Sequence, residues 1–135
     1  MGVRSPGQTD DQFLALDHAA VNLAGGAADI HSYIVPCDGY VIAWGYQVTT
    51  TINGAATAPV ISLDTADYDG AANRTEQDSA TIAHGTAAAN AVTWRNLNYG
   101  NGVAVTAGQT IILEHKTVAT TAGGARVFVV FRPSS

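Results

Sequence analysis

Turn-forming residues divide this chain into short segments that are rich in Val, Ile, Thr and aromatic residues. Glycine, proline and the pairs Asn-Gly and Asp-Gly are typical of turns and loops. They fall at residues 25–26, 36–39, 53–54, 69–70, 100–102, 107–108 and 123–124. Short β-forming segments between frequent turns are typical of a sandwich or a barrel. The sequence therefore predicts an all-β, antiparallel fold.

The clearest predicted strand covers residues 39–52, where bulky and small side chains alternate. The bulky face carries Tyr40, Ile42, Trp44, Tyr46 and Val48. We expect the three aromatic residues of this set to fill the core. Gly45 lies on the small face, where a missing side chain indicates a bulge or a close approach of backbone.

Six further strands are predicted at 29–35, 59–64, 92–97, 102–106, 110–118 and 125–132. The last of these has apolar residues on both faces, so we expect the core to cover one face and another subunit the other. Residues 65–91 have little apolar periodicity. They are predicted to form a long surface loop with at most a short strand near 81–83.

The N-terminal stretch admits two interpretations. A capping box at residues 9–12 and the spacing of Phe13, Leu16 and Leu23 favour a helix, but the run 13–16 is equally typical of an edge strand. The first ten residues have no core-forming pattern and are expected to be a mobile arm. We therefore predict an N-terminal arm or edge segment at 1–28 and one β-sandwich domain at 29–135.

Composition excludes several classes of function. The chain has 135 residues, a net charge of −5 and a single lysine, Lys116, so it lacks the basic footprint of a nucleic-acid-binding protein. No apolar run is long enough for a membrane helix, and the residues after Arg4 do not form a secretion signal. A single cysteine, Cys37, excludes an internal disulfide and a cysteine-based zinc site.

One motif in the chain has the spacing of a known metal-binding loop. Counted from Thr65, the run 65–76 places acids at positions 3 and 5, Gly at 6 and Glu76 at 12, as a calcium-binding EF-hand loop does. Position 1 is not acidic, and the flanks do not read as helices. A solvated acidic loop and a weak calcium site both remain open.

The four histidines, His18, His31, His84 and His115, have no metal-ligand spacing. No nucleophile elbow and no phosphate-binding loop are present. We therefore predict no catalytic, cofactor-binding or metal-binding residues. Trp94 and Tyr99 flank a polar stretch and are expected to be partly exposed, which favours a role in a contact surface.

Three segments carry a resemblance to a known family. Residues 33–41 (YIVPCDGYV) place a Pro-x-x-Gly turn between two apolar strands, and residues 105–113 (VTAGQTIIL) place Ala-Gly-Gln before another. A final apolar strand, 127–131, ends near the C-terminus. This layout, over residues 29–132, resembles the small jelly-roll proteins that decorate tailed-bacteriophage capsids, although Gln109 stands where Asp is commoner. Tumour-necrosis-factor-like trimers share the same turns.

The resemblance implies a jelly-roll-like β-sandwich that forms a homotrimer, binds the major capsid protein and brings no catalytic residues or cofactor. It also implies a location on the virion surface after synthesis in the host cytoplasm. We expect residues 13–23 to contact the capsid or a neighbouring subunit. The candidate contact residues are Phe13, Leu14, Leu16, Leu23, Trp94 and Tyr99.

Two other functions remain open. A carbohydrate-binding β-sandwich module of a fibre or cell-wall system would use exposed aromatic residues such as Trp94. A small metal-dependent β-barrel enzyme would bring together His31, His84 or His115 from distant parts of the chain.

Overall fold

A computed structural model describes residues 14–24, 28–54, 58–68, 72–117 and 120–134. Within these ranges the chain forms β1 (Leu14–Asn22), β2 (Ala28–Ile34), β3 (Gly39–Gly54), β4 (Val60–Ala66), β5 (Thr75–Thr81), β6 (Thr93–Asn96), β7 (Val103–Val105), β8 (Thr110–Thr117) and β9 (Thr120–Pro133). A three-residue 3₁₀ turn, Asn98–Gly100, separates β6 from β7. No helix in the described ranges is long and apolar enough to cross a membrane.

The strands form two antiparallel sheets that pack into a β-sandwich. The first sheet has the order β1-β9-β3-β6, with β7 also paired to β3, and the second has the order β2-β8-β4-β5. The pairs are nested along the chain: β4 with β5, β3 with β6 and β7, β2 with β8, and β1 with β9. A long antiparallel hairpin wrapped around itself in this way is a jelly roll. The predicted all-β, jelly-roll-like fold is confirmed.

The core lies between the two sheets and follows the two-residue period of the strands. On β9, Val127, Val129 and Phe131 are buried while the residues between them are partly exposed. Ile61 and Leu63 of β4 belong to the same apolar cluster. Each such side chain stabilises the fold by about 1.5–3 kcal/mol relative to an exposed position.

A bulge in β3 changes which side chains reach this core. Val41 pairs with Phe131 and Ala43 pairs with Val130, so Ile42 is an extra residue on β3. A bulge of this kind shifts the strand register by one residue, and the side chains after it face the opposite way. Trp44 is fully buried and Tyr46 packs against the core, whereas Tyr40, before the bulge, lies beneath the guanidinium of Arg132. The expectation that Tyr40 fills the core is therefore wrong.

The prediction of a long loop at 65–91 is also wrong, because β5 (Thr75–Thr81) lies within it. The segment reads TEQDSAT and has one apolar side chain, Ala80, which is buried against the core. β5 is an edge strand that is held by hydrogen bonds to β4 and by its polar side chains. It therefore lacks the apolar periodicity by which a strand is recognised in the sequence.

The structure resolves the ambiguity between helix and strand over the described part of the N-terminal stretch. Residues 14–22 form strand β1, which pairs with β9 along the edge of the first sheet. Residues 1–13 lie outside the described residues. Leu23 follows β1 directly and is fully buried in the core.

Candidate functional site

The outer surface of the first sheet carries a pair of stacked aromatic rings. Gly45 of β3 pairs with Phe128 of β9 on one side and with Trp94 of β6 on the other. Because Gly45 has no side chain, the two rings approach each other across β3, with their centroids 5.9 Å apart and their planes at 48°. Tilted rings at this separation attract each other beyond simple burial. Trp94 nevertheless remains 50% exposed.

Two arginines extend this aromatic pair along the sheet. The guanidinium of Arg126 lies 5.4 Å from the centroid of Phe128, and that of Arg132 lies 5.0 Å from the centroid of Tyr40. Both distances are those of cation–π contacts. We call this surface, made of Tyr40, Trp94, Arg126, Phe128 and Arg132, the aromatic–arginine face. Trp, Tyr, Phe and Arg are the residue types enriched at protein interfaces and among their energetic hot spots.

Tyr99 is displayed on a separate turn. Its side chain is fully exposed, and both Tyr99 and Asn98 have left-handed backbone conformations, with φ of 54° and 49°. Left-handed φ values strain residues other than glycine, and such strain is common at functional sites. The side-chain amide of Asn98 donates to the carbonyl of Gly102 at 3.3 Å, which helps to fix the turn.

The outer surface of the second sheet carries a closed ion-pair network. Arg74 donates from Nε to Asp64 Oδ2 at 2.8 Å and from Nη2 to Asp29 Oδ1 at 2.7 Å, and its Nη2 lies 3.3 Å from Glu114 Oε1. The hydroxyl of Ser62, which is fully buried, donates to Asp64 Oδ1 at 3.1 Å. The hydrogen bond to Asp29 outweighs partial burial and, with that to Asp64, raises the pKa of Arg74. Asp29, Glu114 and Asp64 lie on the neighbouring strands β2, β8 and β4, and Arg74 pairs with all three. This arrangement is typical of a structural ion-pair network.

Asp78 on β5, the edge strand of the second sheet, links the two sheets through hydrogen bonds to β3 and to the edge strand β6 of the first sheet. Its Oδ2 accepts hydrogen bonds from Trp44 Nε1 at 2.8 Å and from Arg95 Nε at 2.7 Å, and its Oδ1 accepts from Arg95 Nη2 at 3.0 Å. Burial alone would raise the pKa of Asp78. The hydrogen bonds from Arg95 and Trp44 outweigh this effect and hold the pKa below its ordinary value.

The EF-hand-like run adopts a hairpin rather than a loop between helices. Thr65 of β4 and Thr75 of β5 are register partners, which places the two ends of the run side by side. Glu76 forms an ion pair with Lys116 of β8, and the Thr65 hydroxyl accepts a hydrogen bond from Gln77. The carboxylate at position 12 and the hydroxyl at position 1 are thus engaged within the sheet.

Among the side chains that the structure describes, the histidines and Cys37 form no cluster of metal ligands. No three His, Cys, Asp or Glu side chains within the described ranges converge as metal ligands. His31 packs against the Tyr33 ring at 4.4 Å, whereas His115 is buried on β8. Cys37 is partly buried against the core.

An apolar cleft of about 400 Å³ opens beside the end of β2. The cleft is lined by Val35, Pro36, Ile111 and Phe131. Ile34, which is 69% exposed, also lines it.

The structure separates the six candidate contact residues into different environments. Trp94 and Tyr99 are exposed, as expected, whereas Leu23 lies in the core. Leu14 and Leu16 lie on β1 in register with Phe131 and Val129. Phe13 lies outside the described residues. Whether any of these six residues contacts a partner stays a prediction.

Sequence reasoning missed the other members of the aromatic–arginine face. Two signals were available: the second apolar face of 125–132, which contains Phe128, and the glycine at position 45 among bulky neighbours. Finding the face also required the register that places Trp94 and Phe128 on either side of Gly45.

Comparison with known proteins identifies distant likenesses of fold. No family model matches the chain, and no curated protein matches it. The crystal structure of PirA aligns with a TM-score of 0.48 and 14% identity, covering 90% of this chain and 95% of that one. A structure of Bacillus endospore appendages, which form disulfide-linked pili, aligns with a TM-score of 0.41 and 15% identity over 98% of this chain and 100% of the other.

A chain of infectious bursal disease virus, strain Gx, aligns with a TM-score of 0.30 and 10% identity, covering 90% of this chain and 32% of the viral chain. No phage decoration family is identified among these likenesses. The part of the chain that the structure describes is a β-sandwich.

Proposed function

We propose that this protein is a structural virion protein that decorates and stabilises a bacteriophage capsid by binding the major capsid protein as a homotrimer. It acts by adhesion between proteins and not by transforming a small molecule. Three observations support the proposal: the sandwich fold, the aromatic–arginine face, and the resemblance of the order of turns to that of capsid decoration proteins.

The aromatic–arginine face is the observation that carries this proposal. Soluble proteins rarely leave a tryptophan half exposed within a larger apolar patch unless that patch meets a partner. Here Trp94 is 50% exposed while it stacks on Phe128 of the first sheet. Aromatic rings fixed by their neighbours lose little conformational entropy on binding, which favours their use as interface anchors.

Co-sedimentation tests the proposal directly. The native chain is mixed with purified heads of the bacteriophage whose genome carries it, and the bound fraction is measured. We expect saturable binding, which Trp94→Ala weakens by about tenfold, as for a hot-spot residue. Tyr68→Ala is the matched control, because Tyr68 is 77% exposed but precedes the β4–β5 turn of the other sheet. Native protein that stays in the supernatant would contradict the proposal.

The exposure of Trp94 also favours a second candidate, a carbohydrate-binding module of a fibre or cell-wall system. Aromatic faces stack on sugar rings as readily as on protein side chains. Fluorescence separates the two candidates, because Trp44 is fully buried and Trp94 is the accessible reporter. Quenching by a member of a neutral glycan panel would support the carbohydrate candidate, and no quenching across the panel would support the decoration protein.

A further inference from the structure

The turn that carries Tyr99 is fastened to the body of the fold. It follows Leu97, which is buried in the core and donates from its backbone N–H to the carbonyl of Ile42 at 3.0 Å. The backbone N–H groups of Gly100 and Gly102 both donate to the carbonyl of Leu97, at 2.9 and 3.1 Å. Because these bonds close the turn on a buried residue, the backbone of Tyr99 is held in one place.

Folding does not explain why a tyrosine occupies position 99. Asn98 and Tyr99 both have left-handed backbones, with φ of 49° and 54°. Asparagine tolerates this conformation, whereas a bulky side chain such as tyrosine is strained by it. The side chain of Tyr99 is fully exposed, so no burial within the chain offsets the strain. The fold alone favours Asn or Gly at this position, and a tyrosine there indicates a contact outside the chain.

The same turn borders the aromatic–arginine face. A Cβ on Gly102 would lie 3.0 Å from Cβ of Tyr40 and 3.0 Å from Cγ2 of Ile42, so the turn packs closely on this part of β3. Tyr40 belongs to the aromatic–arginine face, where its ring lies beneath the guanidinium of Arg132. A partner seated on that face is therefore within reach of Tyr99.

We propose that Tyr99 is a preformed anchor that inserts into an apolar pocket of the partner bound by the aromatic–arginine face. The phenol ring fills the pocket, and its hydroxyl forms a hydrogen bond with a polar group there. The turn fixes the backbone of Tyr99 before binding, so the contact loses less conformational entropy. The inference rests on the proposed function, under which this partner is the major capsid protein.

Tyr99→Asn tests the inference because it should move stability and binding in opposite directions. We expect it to raise the melting temperature by about 3 °C, since asparagine adopts the left-handed conformation at lower cost. We expect it to weaken co-sedimentation with phage heads by about tenfold, since the ring is lost. A variant that is more stable than the native chain and binds less tightly has not lost binding through unfolding.

Two further variants serve as controls. Tyr68 is 77% exposed but does not have a left-handed backbone, so Tyr68→Asn should change neither the melting temperature nor the binding of heads. Tyr99→Phe keeps both the ring and the strain and removes only the hydroxyl. We expect it to melt with the native chain and to bind about threefold more weakly, as for the loss of one hydrogen bond.

The outcomes separate this inference from the proposed function. If the native chain binds heads and Tyr99→Asn binds them equally well, the inference is overturned while the proposed function stands. A melting temperature of Tyr99→Asn at or below that of the native chain would also overturn it, as would equal losses of binding for Tyr99→Phe and Tyr99→Asn. A lower mass of Tyr99→Asn in light scattering would place Tyr99 between subunits and overturn the inference. Native protein that does not bind heads would contradict the proposed function and the inference together.

Discussion

At Gly45 the absence of a side chain lets rings from two neighbouring strands meet over β3. A Cβ at this position would lie 2.7 Å from the carbonyl oxygen of Thr93 and 2.9 Å from Cε3 of Trp94. Contacts this short force backbone or rings to move. A large residue at this position would therefore separate Trp94 from Phe128 and alter the surface that we assign to partner binding.

Gly45→Ala should destabilise the fold by about 1–3 kcal/mol, as overpacking of a well-packed site does. Urea unfolding followed by circular dichroism measures the change. In a Trp94→Ala background the contact with Cε3 is absent, whereas the close contacts with the Thr93 carbonyl and with Cγ1 of Val92 remain, so the cost of Gly45→Ala should be smaller. An identical cost in both backgrounds would show that the ring contact plays no part.

Asp78 makes stability depend on pH in a predictable direction. Its folded-state pKa lies below the ordinary pKa of an aspartate, so at a pH between the folded and the unfolded pKa the unfolded chain binds more protons than the folded chain. The contribution of Asp78 is fully present above the unfolded pKa and is lost as pH falls through the folded pKa. Asp78→Asn should lower stability at pH 7 by about 1–3 kcal/mol, since the carboxylate bonds to Arg95 and Trp44 are weakened.

The pH test compares native protein with Asp78→Asn in urea titrations at neutral pH and at successively lower values below the unfolded pKa. The native protein should lose more stability than the variant over the acid range. Asp67→Asn is the control, because Asp67 is an acid that accepts its hydrogen bond from Asn73 at the surface. Parallel acid profiles for native protein and Asp78→Asn would contradict the assigned role.

Among the elements, β1 connects the N-terminal segment to the body of the fold. It pairs with β9 along the first sheet, and Leu23 at its end is fully buried. Removing β1 would expose the hydrogen-bonding edge of β9 and leave a cavity at Leu23, and exposed edges promote aggregation.

Two deletions therefore should behave differently. Deleting residues 1–13 should leave the fold intact, so that any loss of capsid binding reports on the segment that includes Phe13. Deleting residues 1–24 should lower the melting temperature or yield aggregated protein, because it removes a strand and a core residue. Size-exclusion chromatography and thermal melting distinguish these results, and a stable, monodisperse product from the longer deletion would show that β1 is dispensable.

Most strands could be predicted from sequence because buried and exposed side chains alternate along them. β3 and β9 carry Trp44, Val127 and Phe131 at positions that periodicity alone reveals. β5 could not be found this way, since its register is held by polar groups such as Asp78, whose partners lie on β3 and β6. The bulge at Ile42 changes the facing of Tyr40 without a glycine or proline to mark it. The aromatic–arginine face depends on strand register, which no local pattern specifies.

For the whole molecule, nested strand pairing closes the sandwich, and part of the outer surface of the second sheet, at Ser62 and Asp64, is also buried. Each pair outside the β4–β5 hairpin joins distant parts of the chain, so contacts of long sequence separation hold both sheets together. The two outer surfaces differ in chemistry, with aromatic rings and arginines on one and a carboxylate network on the other.

The proposed homotrimer makes a prediction at this scale. Multi-angle light scattering at micromolar concentration should give a mass three times that of the 13.9 kDa chain. Closed cyclic assemblies keep this mass over a range of concentrations, whereas open stacks grow with concentration. A single species of 13.9 kDa would count against the trimer without bearing on the aromatic–arginine face.

Electron cryomicroscopy of phage heads mixed with the native chain tests the central claim most directly. We predict added density on the outer shell at regular lattice positions, into which the sandwich fits with Trp94 and Phe128 against the major capsid protein. Heads that gain no density, or density in which this face points into solvent, would contradict the account.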